Sequence, residues 1–190
     1  MAKSKAAKHP ALQILQQKLE EQGFEASYIP AHSEEDLAFD SLLIVLDELP
    51  SEEEMRYGLQ AFFVEDMMRA EDPELPDEEN PDFATLQFLL ELPVDWSELQ
   101  GERLTEAYRL LSACSQKMPI GYFSLEGGEL FYTYSLLAED QRIPSKVLIS
   151  AVDMMGFFVN RMTPVFEAFT DENLSLDVAL ERLDQRILAD

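Results

Sequence analysis

The side chains that could do chemistry here are two histidines, one cysteine and a large surplus of carboxylates. Their spacing argues against most of it. His9 sits in a basic N-terminal stretch and His32 beside the turn marked by Pro30. Neither has a second histidine or a cysteine at the short spacing a zinc site needs. A Ser-His-Asp or Cys-His device would have to recruit one of the same two histidines, and nothing around either recommends it. Cys114 falls on an apolar helical repeat, which suits a small buried hydrophobe better than a nucleophile. Gly127-Gly128 lacks the lysine and the glycine spacing of a phosphate loop, and it lies between two strand-like segments. Asp171 to Ser175 alternates like a calcium loop. Leu176, however, stands where that loop requires glycine, and Arg182 where it requires a bidentate glutamate. With 38 acidic residues, carboxylate pairs arise by chance and none stands out as an acid-base couple. The expectation is a protein that is not an enzyme, with no catalytic residue, no cofactor and no metal site.

Charge narrows the partners. Against the 38 acidic residues stand 14 basic ones, a formal net charge of -24. Ser33 to Asp82 carries 18 of the acids and only Arg56 and Arg69 against them. Such a surface repels phosphates and anionic lipid over about 8 Å at physiological salt. Neither nucleic acid nor a membrane is expected as partner, since phosphate neutralisation by Lys and Arg supplies most non-specific nucleic-acid affinity. The alternative that acidity does allow is a decoy that mimics nucleic acid and occupies a basic protein. A carboxylate-based, divalent-metal-dependent enzyme is the remaining one. The longest apolar run, Leu42 to Leu46, is far short of the roughly 18 residues that span a bilayer. MAKSKAAKHP has lysines but no apolar stretch after it, so no export signal is expected and the location should be cytoplasmic.

The elements that would carry any surface follow from periodicity. Residues 1-9 read as a flexible basic arm, 10-170 as one α+β domain, and 171-190 as its C-terminal helical extension. Pro10 opens a helix with Leu12, Leu15 and Leu19 on one face and Gly23 past its end. Phe24 to Ile29, the run SLLIVLDE, Tyr57 to Glu65 and Thr85 to Leu92 have strand character, with a turn at Pro50 to Glu54. Ala70 to Pro81, with three prolines and six acids, reads as a mobile acidic loop. Ser97 and Gln100 have capping-box spacing before a helix whose apolar face is Leu104, Ala107, Tyr108, Leu111 and Cys114. A type I′ turn at Gly127-Gly128 sets a hairpin register: Glu126 opposite Glu129, Leu125 opposite Leu130, Phe123 opposite Tyr132. Gly121 then faces Tyr134 on the same side as those pairs.

After Pro144 and the N-cap Ser145, a long helix runs from Lys146 to about Phe169. Leu148, Ala151, Val152, Met155, Phe158, Val159, Met162, Phe166 and Phe169 form one stripe at 100° per residue. Val147, Met154 and Val165 widen that stripe beyond what docking on one sheet requires, and Phe157 and Ile149 fall outside it. Thr163-Pro164 should bend or restart the helix. A last helix carries a narrow seam of Leu176, Leu180, Leu183 and Ile187. The surplus apolar positions Val147, Met154, Phe157 and Val165 are therefore the candidate protein-binding residues.

The segment PIGYFSLEGGELFYTYSLL, then PSKVLISAV and MMGFFVNRMTPVFEAF, resembles the YbjN-like family, whose fold is that of the type III secretion chaperones. Pro119 and Gly121 match the start of the family's hairpin strand, and Pro164 its late helix proline. The likeness spans Pro10 to Phe169. It departs from the family in holding extra strand material in the first half and in adding Ser175 to Leu188. The resemblance implies an antiparallel sheet backed by helices in the order α-β-β-β-α-β-β-α, here with an additional C-terminal helix. It also implies a homodimer that binds a protein client or regulatory partner on apolar sheet or helix surface.

Overall fold

Proline at a first helical turn costs no hydrogen bond and presets the backbone angle. In the computed structural model, which describes residues 10–32, 37–46, 57–72, 74 and 83–188, Pro10 opens α1, Pro10–Glu20. Leu12, Leu15 and Leu19 are its buried face. The strands are β1 Ala26–Ile29, β2 Ser41–Leu46, β3 Tyr57–Phe63, β4 Phe83–Asp95, β5 Tyr122–Glu126 and β6 Glu129–Glu139. The other helices are α2 Val64–Glu71, α3 Gly101–Lys117, α4 Ser145–Asp171 and α5 Leu176–Leu188. The fold is α+β: the strands form one antiparallel sheet in the order β1-β2-β3-β4-β6-β5. Its order is close to the expected one, with α2 and a fourth strand added to the first half. The contacts gather into two compact units, whose described residues lie within 1–46, 58–88 and 135–150 for the first and 47–57, 89–134 and 151–190 for the second.

In the first unit α1 packs on β1 and β2, which pair antiparallel with Ala26 opposite Ile44 and Ile29 opposite Ser41. The Tyr28 hydroxyl donates to the buried Asp40 carboxylate at 2.6 Å, and its other oxygen accepts the Ala31 N–H at 2.7 Å. Charge-assisted bonds of this kind are about twice as strong as neutral ones, so they hold the β1–β2 connection closed. Tyr57 to Glu65 is not strand throughout: β3 stops at Phe63 and α2 follows. Glu65 and Asp66 favour a helix N-terminus, and Asp66 pairs with Arg69 one turn on at 2.8 Å. No residue of α2 is fully buried; its apolar Val64, Met67 and Met68 stand at helical spacing but stay partly in water. The basic arm, His9, the turn at 50–54 and most of the acidic stretch at 70–82 lie outside the described residues.

The second unit is organised around the hairpin. Both turn glycines have positive φ, 63° and 98°, as a type I′ turn demands. The register is the one expected: Glu126 faces Glu129, Leu125 faces Leu130 and Phe123 faces Tyr132. Gly121, expected opposite Tyr134, stands just before β5 and outside its paired residues; the Tyr132 ring crosses it, and the Tyr132 hydroxyl donates to the Ile120 carbonyl at 3.1 Å. Trp96, the only tryptophan, ties this hairpin to the preceding strand by donating its backbone N–H to the Gly128 carbonyl at 2.8 Å. Its ring is buried edge-on against Phe166, 5.8 Å between centroids, and tilted against Phe169 at 5.6 Å.

Two local expectations are corrected here. Ser97 is not the N-cap of α3; its N–H donates to the Asp95 carboxylate in an Asx turn, and α3 starts at Gly101 behind Gln100. Burial of Trp96 fixes that turn before the helix can begin. On α3, Tyr108, expected on the apolar face, is half exposed and Leu110 is fully buried, so the buried face is rotated away from Tyr108 towards Leu110. Leu110 and Lys117 are seven residues apart and share a face, and Lys117 pairs with Asp184 of α5. α5 packs on α3 and closes a second side of it.

α4 runs unbroken through Pro164, with no restart at Thr163. The stripe residues around the proline, Met162, Val165 and Phe166, are all buried. Each contributes about 1.5–3 kcal/mol by leaving water, together more than the roughly 3 kcal/mol a helix-interior proline costs. Every residue of the expected stripe from Leu148 to Phe169 is buried.

Candidate functional site

Apolar side chains left in water at helical spacing mark a surface for another protein only where they adjoin one another. The four residues singled out by sequence divide accordingly. Val147, in the first unit, is 44% exposed at the opening turn of α4. Val165 is fully buried in the second unit, on the inner side of α4 among Met162, Phe166 and Phe169, so it offers no surface to a partner. Its place at the margin of the stripe is covered in three dimensions, which a helical wheel cannot foresee. Met154 is partly exposed and Phe157, one turn on, is 45% exposed.

Phe157 is backed by Phe158, rings T-shaped with centroids 5.2 Å apart. The Arg161 guanidinium lies 4.4 Å from the Phe157 centroid and donates to the Arg186 carbonyl at the end of α5. The result is an aromatic ring held in one orientation, with a cation on one side and open water on another. Arg161 was not among the sequence-predicted residues. Its spacing of four from Phe157 is the signal that could have found it. A similar cation, Arg103, sits 3.6 Å from the Phe169 centroid and is bonded to the Phe169 carbonyl, fixing the end of α4 to α3.

The sheet edges are less available. β5 has five residues, and its outward Phe123 N–H donates to the Ser115 hydroxyl of α3 at 3.2 Å. β1 has four residues, and its Ala26 carbonyl accepts from the Gln16 amide of α1 at 3.2 Å. Short edges with their polar groups engaged are how sheets avoid strand addition. Binding at a helix face is favoured over binding at an edge.

The reactive groups are placed as follows. Cys114 is fully buried and burial pushes its thiol up to about 12, so the nucleophilic thiolate is not formed near neutrality. His32 is exposed, with φ 57°, and its N–H closes the turn onto the Leu37 carbonyl. Glu172, in the sequence that alternates like a calcium loop, meets Arg182 in a two-pronged pair at 2.7 and 3.1 Å. Among the described residues no group of three or more His, Cys, Asp or Glu is placed to hold a metal ion. No described helix is long and apolar enough to cross a membrane.

Where α4 and α5 diverge there is a cavity of about 500 Å³ lined by Pro164, Glu167, Asp171, Arg182 and Arg186 among others. Burial raises the Glu167 carboxyl above its ordinary range, Asp171 adds to the rise, and Arg186 opposes it. A raised carboxyl favours the protonated form in the folded state. Stability therefore falls as pH rises from the ordinary glutamate range, about 4.3, to the higher folded value, and stays lower above it. Glu167→Gln is expected to melt at a higher temperature than the parent at pH 7. The two should converge below about pH 4, where both states of the parent are protonated. Parallel melting curves across that window, with no convergence, would overturn this assignment.

Comparison with family models, with curated proteins and with solved structures returned no match.

Proposed function

We propose that this chain is a cytoplasmic, non-enzymatic, chaperone-like or regulatory protein-binding module that pairs with a second copy of itself. The observation that carries this reading is Phe157, a large aromatic ring fixed by Phe158 and Arg161 yet 45% exposed, with Met154 one turn away. Aromatic, methionine and arginine side chains are the types enriched in interface cores. Methionine is soft enough to adapt to more than one partner. The antiparallel sheet with helices agrees with the fold implied by the YbjN-like resemblance, and that resemblance supports dimerisation and a protein client.

The net charge of -24 adds long-range attraction for basic or unfolded clients, which speeds encounter more than it tightens the complex. Reduced, unfolded lysozyme is a suitable basic client, its aggregation followed by turbidity. The chain should slow that aggregation even at about 0.5 M salt, where screening shortens to about 4 Å. Phe157→Glu should protect markedly less under the same conditions. Protection that vanishes with salt and is untouched by Phe157→Glu would instead favour the acidic decoy, whose contacts are purely ionic.

A further inference from the structure

We propose that α5 is a releasable strap, a helix that lifts from α3 and α4 while the rest of the second unit stays folded. A helix of 13 residues is marginal in water by itself, so α5 persists only through what it docks on. That docking is thin. Ala179 and Leu183 are its only fully buried residues, Leu176, Leu180 and Ile187 are partly exposed, and Leu188 is 80% exposed.

Three polar attachments add to it at exposed positions. Arg182 reaches back to Glu172, Lys117 of α3 meets Asp184 at 2.5 Å, and Arg161 of α4 donates to the Arg186 carbonyl. Both ion pairs have substantially exposed side chains, the class of contact that contributes least and is screened by salt. Between α5 and α4, the polar cavity of about 500 Å³ takes the place of packed side chains. The link between the helices is a short turn that leaves α5 with its own N-cap. α4 ends at Asp171, and Asn173 turns the chain in the left-handed region at φ 50° before Ser175 caps α5 through the Val178 N–H.

Leu110, fully buried, stands two turns before Lys117 on the same face of α3, and α5 packs on α3. Lifting α5 would uncover that face beside the Arg161–Phe157 contact, which α5 itself helps to position. The strap rests on the protein-binding reading only for what the uncovered face would receive. The lifting can be tested without any partner.

Hydrogen exchange by mass spectrometry on the intact chain reads it directly. Amides of residues 176–188 should exchange at least about tenfold faster than those of residues 159–169, as expected for a local opening. The ratio should widen in high salt and with Lys117→Gln combined with Arg182→Gln, while Trp96 emission stays unchanged. Equal exchange of the two segments at every salt concentration would overturn the strap. So would a Trp96 shift that accompanies α5 opening, because α5 would then open only with the whole unit. Either failure leaves the dimer untouched, and a monomeric chain with a fast-exchanging α5 would fail the dimer alone.

Discussion

Gly128→Ala is expected to cost about 3 kcal/mol or more of folding stability, while Gly127→Ala, one residue earlier in the same turn, costs about 1 kcal/mol. Both glycines have positive φ, so both substitutions force an L-residue into a disfavoured region at about 1–2 kcal/mol. Each recovers roughly 0.4–1 kcal/mol because alanine has less freedom than glycine to lose on folding. The difference lies in space. A Cβ at Gly127 meets nothing within 4 Å, whereas one at Gly128 would lie 2.5 Å from the Ser97 Cα and 2.8 Å from its backbone nitrogen. That backbone cannot step aside. Trp96 N–H is bonded to the Gly128 carbonyl and Ser97 N–H to Asp95, so moving Ser97 breaks one contact or both. Urea unfolding followed by Trp96 fluorescence measures the two losses with a probe inside the unit concerned. Equal losses at the two positions would show that the Ser97 contact does not hold the turn.

Phe166→Ala should produce the other large effect. Phe166 is fully buried and meets Trp96 edge-on at 5.8 Å and Phe123 at 4.9 Å, so it joins α4 both to the turn after β4 and to the hairpin. Truncating a buried phenylalanine costs about 3–5 kcal/mol, which lowers the melting temperature of a chain this size by roughly 10 °C. Trp96 emission should shift red in the folded variant, since the ring loses one of its two aromatic neighbours. Phe157→Ala, on the same helix but half in water, should cost less than about 1 kcal/mol, the contact with Arg161 being the main loss. A Phe166→Ala loss no larger than that of Phe157→Ala would mean that the aromatic cluster does not hold the second unit together.

The hairpin register, α1 and the buried stripe of α4 were legible in the sequence because each is specified by local periodicity. A two-glycine turn leaves one register that puts apolar pairs on one face, and Phe123 opposite Tyr132 is that register. What was not legible depends on neighbours distant in sequence. Leu110 is buried although it lies outside the expected stripe of α3, a helix that also packs on α5 more than sixty residues on, and Val165 is buried at the margin of its own stripe. α2 is short and has no fully buried residue, and the helical spacing of its Val64, Met67 and Met68 is masked by the strand-like run YGLQAFFVE that leads into it. The Ser97–Gln100 spacing matched a cap, but Trp96 burial and the Asp95 turn claimed the same backbone first. Of the candidate surface, Met154 and Phe157 could be read as surplus on a helical wheel. Arg161 stands four residues after Phe157, a readable spacing, but its tie to the Arg186 carbonyl of α5 shows only in three dimensions.

Light scattering on a size-exclusion column, at roughly tens of micromolar chain, tests most directly whether the Phe157 face binds protein. The chain should elute at twice its monomer mass. Phe157→Glu should elute as a folded monomer, since a charge at the centre of an apolar contact opposes burial far more than it disturbs an exposed position. A wild-type chain that is strictly monomeric, or a Phe157→Glu variant that remains dimeric, would contradict the account.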